Sequence, residues 1–341
     1  MDFDLTDVQR SWREKAQALG RALPDDAAAA DVVMGAARAG LLDPQADLVA
    51  AAVAVEALAS ESAAAGMALA LHTAALLALV PLRQGSGGQA GDDRFASLLR
   101  GETVSALSLS TEDVPSIDGG TLTGRASWVG PMTGRGVAIV GARQGDEGAA
   151  CAVSLDATGV HIEPIETSGL RGFVSAYLIF AGAPYVAAGP PIAIMARART
   201  LIAATSLGIG NRALRESLAV AHRARGAGGE QTVEGLLADT ATELDAARLL
   251  TWKAAAGAER LSLAEASMAK LAAAGAAQAA VVRATQVVGV NSFRRGHVIE
   301  RLTQDVRAIE LFAGRTEALR EAVADEELPH VSGQRAAGSR Q

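Results

Sequence analysis

A single cysteine, Cys151, in 341 residues rules out an internal disulfide framework and fits a reducing cytosol. It sits in an apolar, strand-like run and reads as a buried, inert thiol. Aromatic residues make up only 3% of the chain, and alanine is the largest part of the apolar half. Alanine is the strongest helix former and lets helices approach closely, which points to a majority-helical protein. Charged residues are 20% of the total, the formal net charge is −7, and no basic run with interleaved aromatics occurs. That excludes a general nucleic-acid partner. The five histidines are scattered, with no H-x-x-x-H or C-x-x-C spacing, so no metal site is expected. His72 reads as a satisfied core or helix-surface histidine. No G-x-S-x-G or phosphate-binding loop is present, and Gly208-Ile209-Gly210 lies inside a helical pattern with no strand before it. The start, MDFDLTDVQRSW, is acidic and amphipathic rather than a signal peptide. Ala63–Leu82 is long and apolar, but its residues are small and include His72, so a buried helix is expected and no membrane span. The expectation is a soluble, cytoplasmic protein.

What is present divides into three stretches. Residues 1–102 carry helical spacing. Thr6 with Gln9 forms a capping box for a helix to about Leu23, and helices are expected over 28–39, 48–60, 63–80 and 94–100. Gln84–Gly91 reads as a flexible loop. From about Thr103 the pattern changes to short runs at 104–109, 121–128, 136–141, 150–154, 159–164 and 176–180. Gly, Asp and Pro punctuate them, as in an antiparallel sandwich or barrel. After Gly189-Pro190-Pro191, helical spacing returns over 194–225, 231–256 and 263–288, as in a helical bundle. The fold class expected is α+β, mostly α: a helical domain at 1–102, a β domain at 103–188, a bundle at 189–330 and a disordered tail at 331–341.

The organising stretch is QVVGVNSFRRGHVIERLTQDVRAIELFAGRTEALR, residues 286–320. With what precedes it, it resembles the C-terminal signature of the acyl-CoA dehydrogenase family: Q-(I/V)-L-G-G-x-G-(F/Y), then (P/V)-x-E-(K/R), R-D-(A/V) and (I/L)-(Y/F)-E-G-T. The matches are Gln286, Gly289, Phe293, Glu300–Arg301, Asp305 and Leu311–Phe312. LADTATELDAARLLTWKAA (237–255), ASMAKLAAAGAAQAA (266–280), the start L-T-x-x-Q and Ala-Gly-Leu-Leu at 39–42 resemble further family motifs. The resemblance runs from about Leu5 to Leu328. It implies the three-domain acyl-CoA dehydrogenase-like fold, with the β domain against one side of a flavin.

The departures fall on the chemistry. The family's E-G-T carboxylate removes the α-proton of the thioester, and Ala313-Gly314-Arg315 stands there. Some members carry the base instead on the first long C-terminal helix, just before an arginine; here that pair is Ala198 and Arg199, which leaves Arg199 as the substrate-side residue. A carbon acid without a positioned base loses about 10²–10⁴ in rate. Glu310, three residues earlier, reads as a surface carboxylate pairing with Arg307 or Arg320, and Glu317 as a first-turn residue of the last helix. For FAD the resemblance implies Ser110 and Thr111 in Ser108–Glu112, although the family's G-S-D portion is gone. It implies Trp128 near the isoalloxazine, although the hydroxyl residue that contacts flavin N5 is Gly130. It implies Arg223 in a shortened R-x-x-F-G region, and Gln286 and Gly289 on the adenine side. The P-x-x-x-G-G entrance loop is missing after Leu42.

These coordinated losses point to a subunit without its own base, in a homo- or hetero-oligomer with another chain of the family. Such a complex would carry out FAD-linked α,β-oxidation of an acyl-CoA thioester. A flavin monooxygenase, which needs no α-proton base, and a non-enzymatic oligomeric scaffold are the alternatives. Association is expected through the C-terminal bundle, whose helices are apolar on more than one face.

Overall fold

The computed structural model describes residues 4–85, 89–110, 113–223 and 230–328. Helix α1 (Asp7–Ala22) starts at Thr6, whose side chain accepts from the Gln9 N–H while the Gln9 side chain accepts from the Thr6 N–H. This reciprocal cap satisfies two of the donors every helix start leaves open. Helices α2 (Ala29–Arg38), α3 (Leu48–Ala59), α4 (Ala63–Gly85) and α5 (Gln89–Leu99) follow. Small residues on every side of α3 and along α4 let both be buried nearly all round. His72 of α4 is fully buried, and its Nδ1 accepts the Ser105 N–H at 3.0 Å. That bond ties the helical layer to the sheet.

The sheet holds β1 (Val104–Ser108), β2 (Ser116–Asp118), β3 (Thr121–Val129), β4 (Gly136–Gln144), β5 (Glu147–Ser154), β6 (Val160–Ile165), β7 (Ser175–Ala183) and β8 (Val186–Ala187). Its order is β6-β7-β3-β2-β4-β5-β8, and β1 pairs with β4 in parallel. The other long pairings, β3–β7, β4–β5 and β6–β7, are antiparallel. One face packs a second core from Leu122, Val140, Cys151, Leu178 and Phe180. Burial pushes the Cys151 thiol up to about 11, which fits the inert reading.

Helix α6 (Pro191–Arg223) is the spine of the C-terminal part, packed on α3 and α4 and on α7 (Glu230–Ala256) and α8 (Leu263–Val288). Glu56 of α3 accepts from Asn211 of α6 at 2.7 Å and from Arg248 of α7 at 2.9 Å, joining the two helical parts. A 3-10 turn (Gly289–Phe293), α9 (Val298–Leu311) and α10 (Thr316–Glu327) complete the chain.

The architecture is the mostly α arrangement of helices, sheet and helical bundle that the sequence implies. Two details differ from the sequence reading. Helix α4 continues through Gly85 and α5 begins at Gln89, so the expected loop at 84–91 is mostly helix. Strands β2 and β8, of three and two residues, are too short to carry an alternation. Thr111, Glu112, the expected loop at 226–229 and the expected tail at 331–341 lie outside the described residues. Three stretches, Ala63–Val80, Pro191–Arg223 and Leu263–Phe293, are long and apolar enough to cross a membrane by length and composition. Of their apolar windows, 83%, 78% and 39% are buried against the rest of the protein.

Candidate functional site

Ala313, where the sequence resemblance places the base, lies in the turn between α9 and α10. Phe312 ends α9 in an extended conformation, Ala313 follows at φ 55° and Gly314 at φ 111°. The last carbonyls of a helix have no partner within it and carry the negative end of its dipole. Here two cations supply what is missing. Lys270 of α8 is fully buried, and its Nζ donates to the carbonyls of Glu310 (3.1 Å), Gly314 (2.7 Å) and Phe312. Arg199 of α6 is also buried; its Nε donates to the Ala313 carbonyl at 2.9 Å and its Nη1 to Ser267 Oγ at 2.7 Å. Gly314 is required twice over: its φ suits glycine, and a Cβ there would stand 2.9 Å from Arg199 Nη2. Burial pulls the Arg199 guanidinium down to about 10. Burial, with Arg199 nearby, pulls the Lys270 amine down to about 7. Three carbonyl acceptors match the three donors of an ammonium, so the geometry favours the charged form.

At the two positions where the resemblance places the base, the side chains have no acid–base capacity. Ala313 is half-buried, and Ala198 is buried in the apolar core beside Arg199. The Glu310 carboxylate, on the neighbouring turn, accepts from Thr316 Oγ1 at 3.2 Å, from Arg307 at 3.3 Å and from Gln278. It pairs with Arg307, as its sequence context suggested, and it serves the joint between α8, α9 and α10. Arg199 directs Nε and Nη1 at protein acceptors.

Opposite the turn, Trp128 at the end of β3 is 42% exposed and stands at φ 55°. The ends of β1 and β3 adjoin: Ser108 Oγ donates to the Ser127 carbonyl at 2.8 Å, and the Leu107 N–H to the Gly130 carbonyl at 2.8 Å. Ser110 and Trp128 are thereby brought to one end of the sheet. Arg223 is exposed at the end of α6, Gln286 is exposed near the end of α8, and Gly289 closes α8 at φ 70°. Phe312 stands edge-on to Trp128, with centroids 6.3 Å apart and planes at 80°, and edge-on to Phe173 at 5.6 Å and 88°. A flat ring inserted between two aromatic faces needs about 7 Å of parallel separation, twice the carbon contact distance. Trp128 and Phe312 instead touch edge to face, so no parallel gap of that width lies between these two rings. As they stand, the two rings do not fit on either side of a flavin ring.

Sequence reasoning missed Lys270, Ser267 and Phe173. A lysine inside the alanine-rich stretch ASMAK, three residues after a serine, was a readable sign of a buried cation facing carbonyls. Nothing local marked Phe173. Asp305, in the R-D motif, is buried and accepts the Leu170 N–H at 2.6 Å, which fastens the turn carrying Phe173 to α9. Burial pushes its carboxyl up to about 6.

Residues 191–328 match the family model described as acyl-CoA dehydrogenase, C-terminal domain. The 3-sulfinopropanoyl-CoA desulfinase of Paraburkholderia xenovorans is 39% identical over 95 residues, 28% of this chain and 24% of that protein. The mitochondrial short-chain specific acyl-CoA dehydrogenase of Homo sapiens is 33% identical over 172 residues, 46% of this chain and 42% of that protein. The chain thus spans less than half the length of the curated relatives it matches. Among solved structures, the Tcur3481-Tcur3483 steroid ACAD has a TM-score of 0.81 at 22% identity, covering 96% of this chain and 98% of that one. At that identity the likeness is one of fold.

Proposed function

We propose that this chain, which matches the acyl-CoA dehydrogenase C-terminal domain over residues 191–328, is the non-catalytic subunit of a heteromeric complex that oxidises an acyl-CoA thioester. The observation that carries this is the turn at Ala313, where the frame is kept and the base is missing. Arg199 and Lys270, both buried, still hold the carbonyls of residues 310–314 where a carboxylate would be presented, and the side chain presented is a methyl. Holding two cations out of water is costly, and here they position only a turn. A frame of that kind suits a chain that keeps the family's shape for assembly. The proton abstraction and the redox chemistry fall to a second chain of the family that carries the glutamate and FAD.

The exposed apolar residues support association. Val282 on α8, and Val290 and Phe293 in the turn that follows, are exposed large apolar residues, and Phe293 is 75% exposed. The test is to purify a tagged copy at native level from its source and identify what accompanies it. A second family chain with an intact glutamate is expected. Recovery of homo-oligomers only, with nothing else of the family bound, would contradict the proposal and favour the scaffold reading.

A further inference from the structure

We propose that Phe173 is a plug that excludes flavin from this chain, filling the space over Gly130 and meeting Phe312 across the former cofactor slot. The proposal rests on the family reading above and concerns only this chain's own site. A Cβ at position 130 would lie 2.7 Å from Phe173 Cζ, 2.8 Å from Cε1 and 3.2 Å from the Val174 carbonyl. Phe173 therefore occupies the volume that any side chain at 130 would need. A hydroxyl side chain at 130 and the ring at 173 as it stands therefore exclude each other.

Neither partner can retreat. Gly130 is fixed by the Leu107 N–H on its carbonyl at 2.8 Å, and the next residues by the Met132 N–H on the Val174 carbonyl at 2.8 Å. The Phe173 turn closes on itself through its N–H to the Leu170 carbonyl at 2.9 Å. Asp305 holds it from α9, and Gly172 lies so close to the segment before α2 that a Cβ would meet the Ala27 carbonyl at 2.5 Å. Phe173 is almost fully buried, and Phe312 bears on both it and Trp128. The chain has only six Phe, three Trp and two Tyr, yet three of these meet here. Edge-to-face contacts of this kind add to the stability of the closed arrangement beyond simple burial.

The experiment titrates the full chain with FAD, following quenching of flavin fluorescence and the flavin absorbance retained after gel filtration. Wild type, Phe173→Ala, Phe173→Leu, Gly130→Ser and the double variant Phe173→Ala with Gly130→Ser are compared, each checked by thermal melting. Wild type should show no saturable binding, and Phe173→Ala should bind at least about tenfold tighter. Gly130→Ser alone should lower the melting temperature, and Phe173→Ala should relieve that loss in the double variant. Where Phe173→Ala does not fold, Phe173→Leu is judged by the same criterion. Stoichiometric FAD on wild type, or equal uptake by wild type and the opened variant (no uptake by either included), overturns the plug. Those results leave the subunit proposal standing, since it depends on the accompanying chain.

Discussion

The Ala313 carbonyl oxygen lies 2.9 Å from Nε of Arg199, a buried cation on a helix more than a hundred residues earlier in the chain. The bond makes the backbone of the turn independent of what residue 313 carries. Ala313 already stands at φ 55°, so a glutamate there would meet much the same backbone cost that alanine meets now.

Ala313→Glu should therefore fold with a stability within about 1 kcal/mol of wild type. It should still give no dye-coupled oxidation of acyl-CoA, because Phe173 and Phe312 close the slot the carboxylate would face. Denaturant unfolding checks the first half, and an assay with added FAD the second. Substantial rescue by this one substitution would mean the slot opens in solution.

Lys270→Met should destabilise the chain by about 2–4 kcal/mol. The loss of three donors leaves the carbonyls of 310, 312 and 314 unpaired in a dry site, at about 1–3 kcal/mol each, and relief from burying the charge offsets part of that. A shift in the denaturant midpoint at unchanged slope is the expected signature. A variant as stable as wild type would show that water reaches the turn.

Two buried groups tilt the pH dependence in opposite directions. Burial lowers His72 to about 4, so as pH falls below about 6.5 the unfolded chain takes up a proton that the native chain refuses, and stability is lost down to about 4. Burial raises Asp305 to about 6, so its contribution is present in acid and lost as pH rises from about 4 through 6. Asp305→Asn keeps an acceptor for the Leu170 N–H and removes the titration. Its stability relative to wild type should rise across that window and level off above it. Melting curves at several pH values read the difference, and a flat difference would contradict the assignment.

Most of the fold could be read from the sequence because its signals are local. The Thr6–Gln9 cap, the breaks at Gly40 and Gly189, and the change from helical to alternating spacing near Thr103 each lie within a few residues. The alanine at the position where the resemblance places the base was equally plain, since it depends only on which residue follows Phe312. The site's closure could not be read. Gly130 and Phe173 meet because β3 and the turn before β7 are neighbours in the sheet, and a glycine gives no sign of what fills the space beside it. Lys270 was half visible: its chemistry was on the page, but its three carbonyl partners come from a turn about forty residues later.

The central claim is that this chain alone does not dehydrogenate acyl-CoA. The most direct measurement is dye-coupled turnover by the purified chain with FAD added, over acyl-CoAs of several chain lengths. The expected result is a rate at background for every length. Turnover within about tenfold of an ordinary family member would contradict the claim, because a loss of 10²–10⁴ is the least that an absent base should cause.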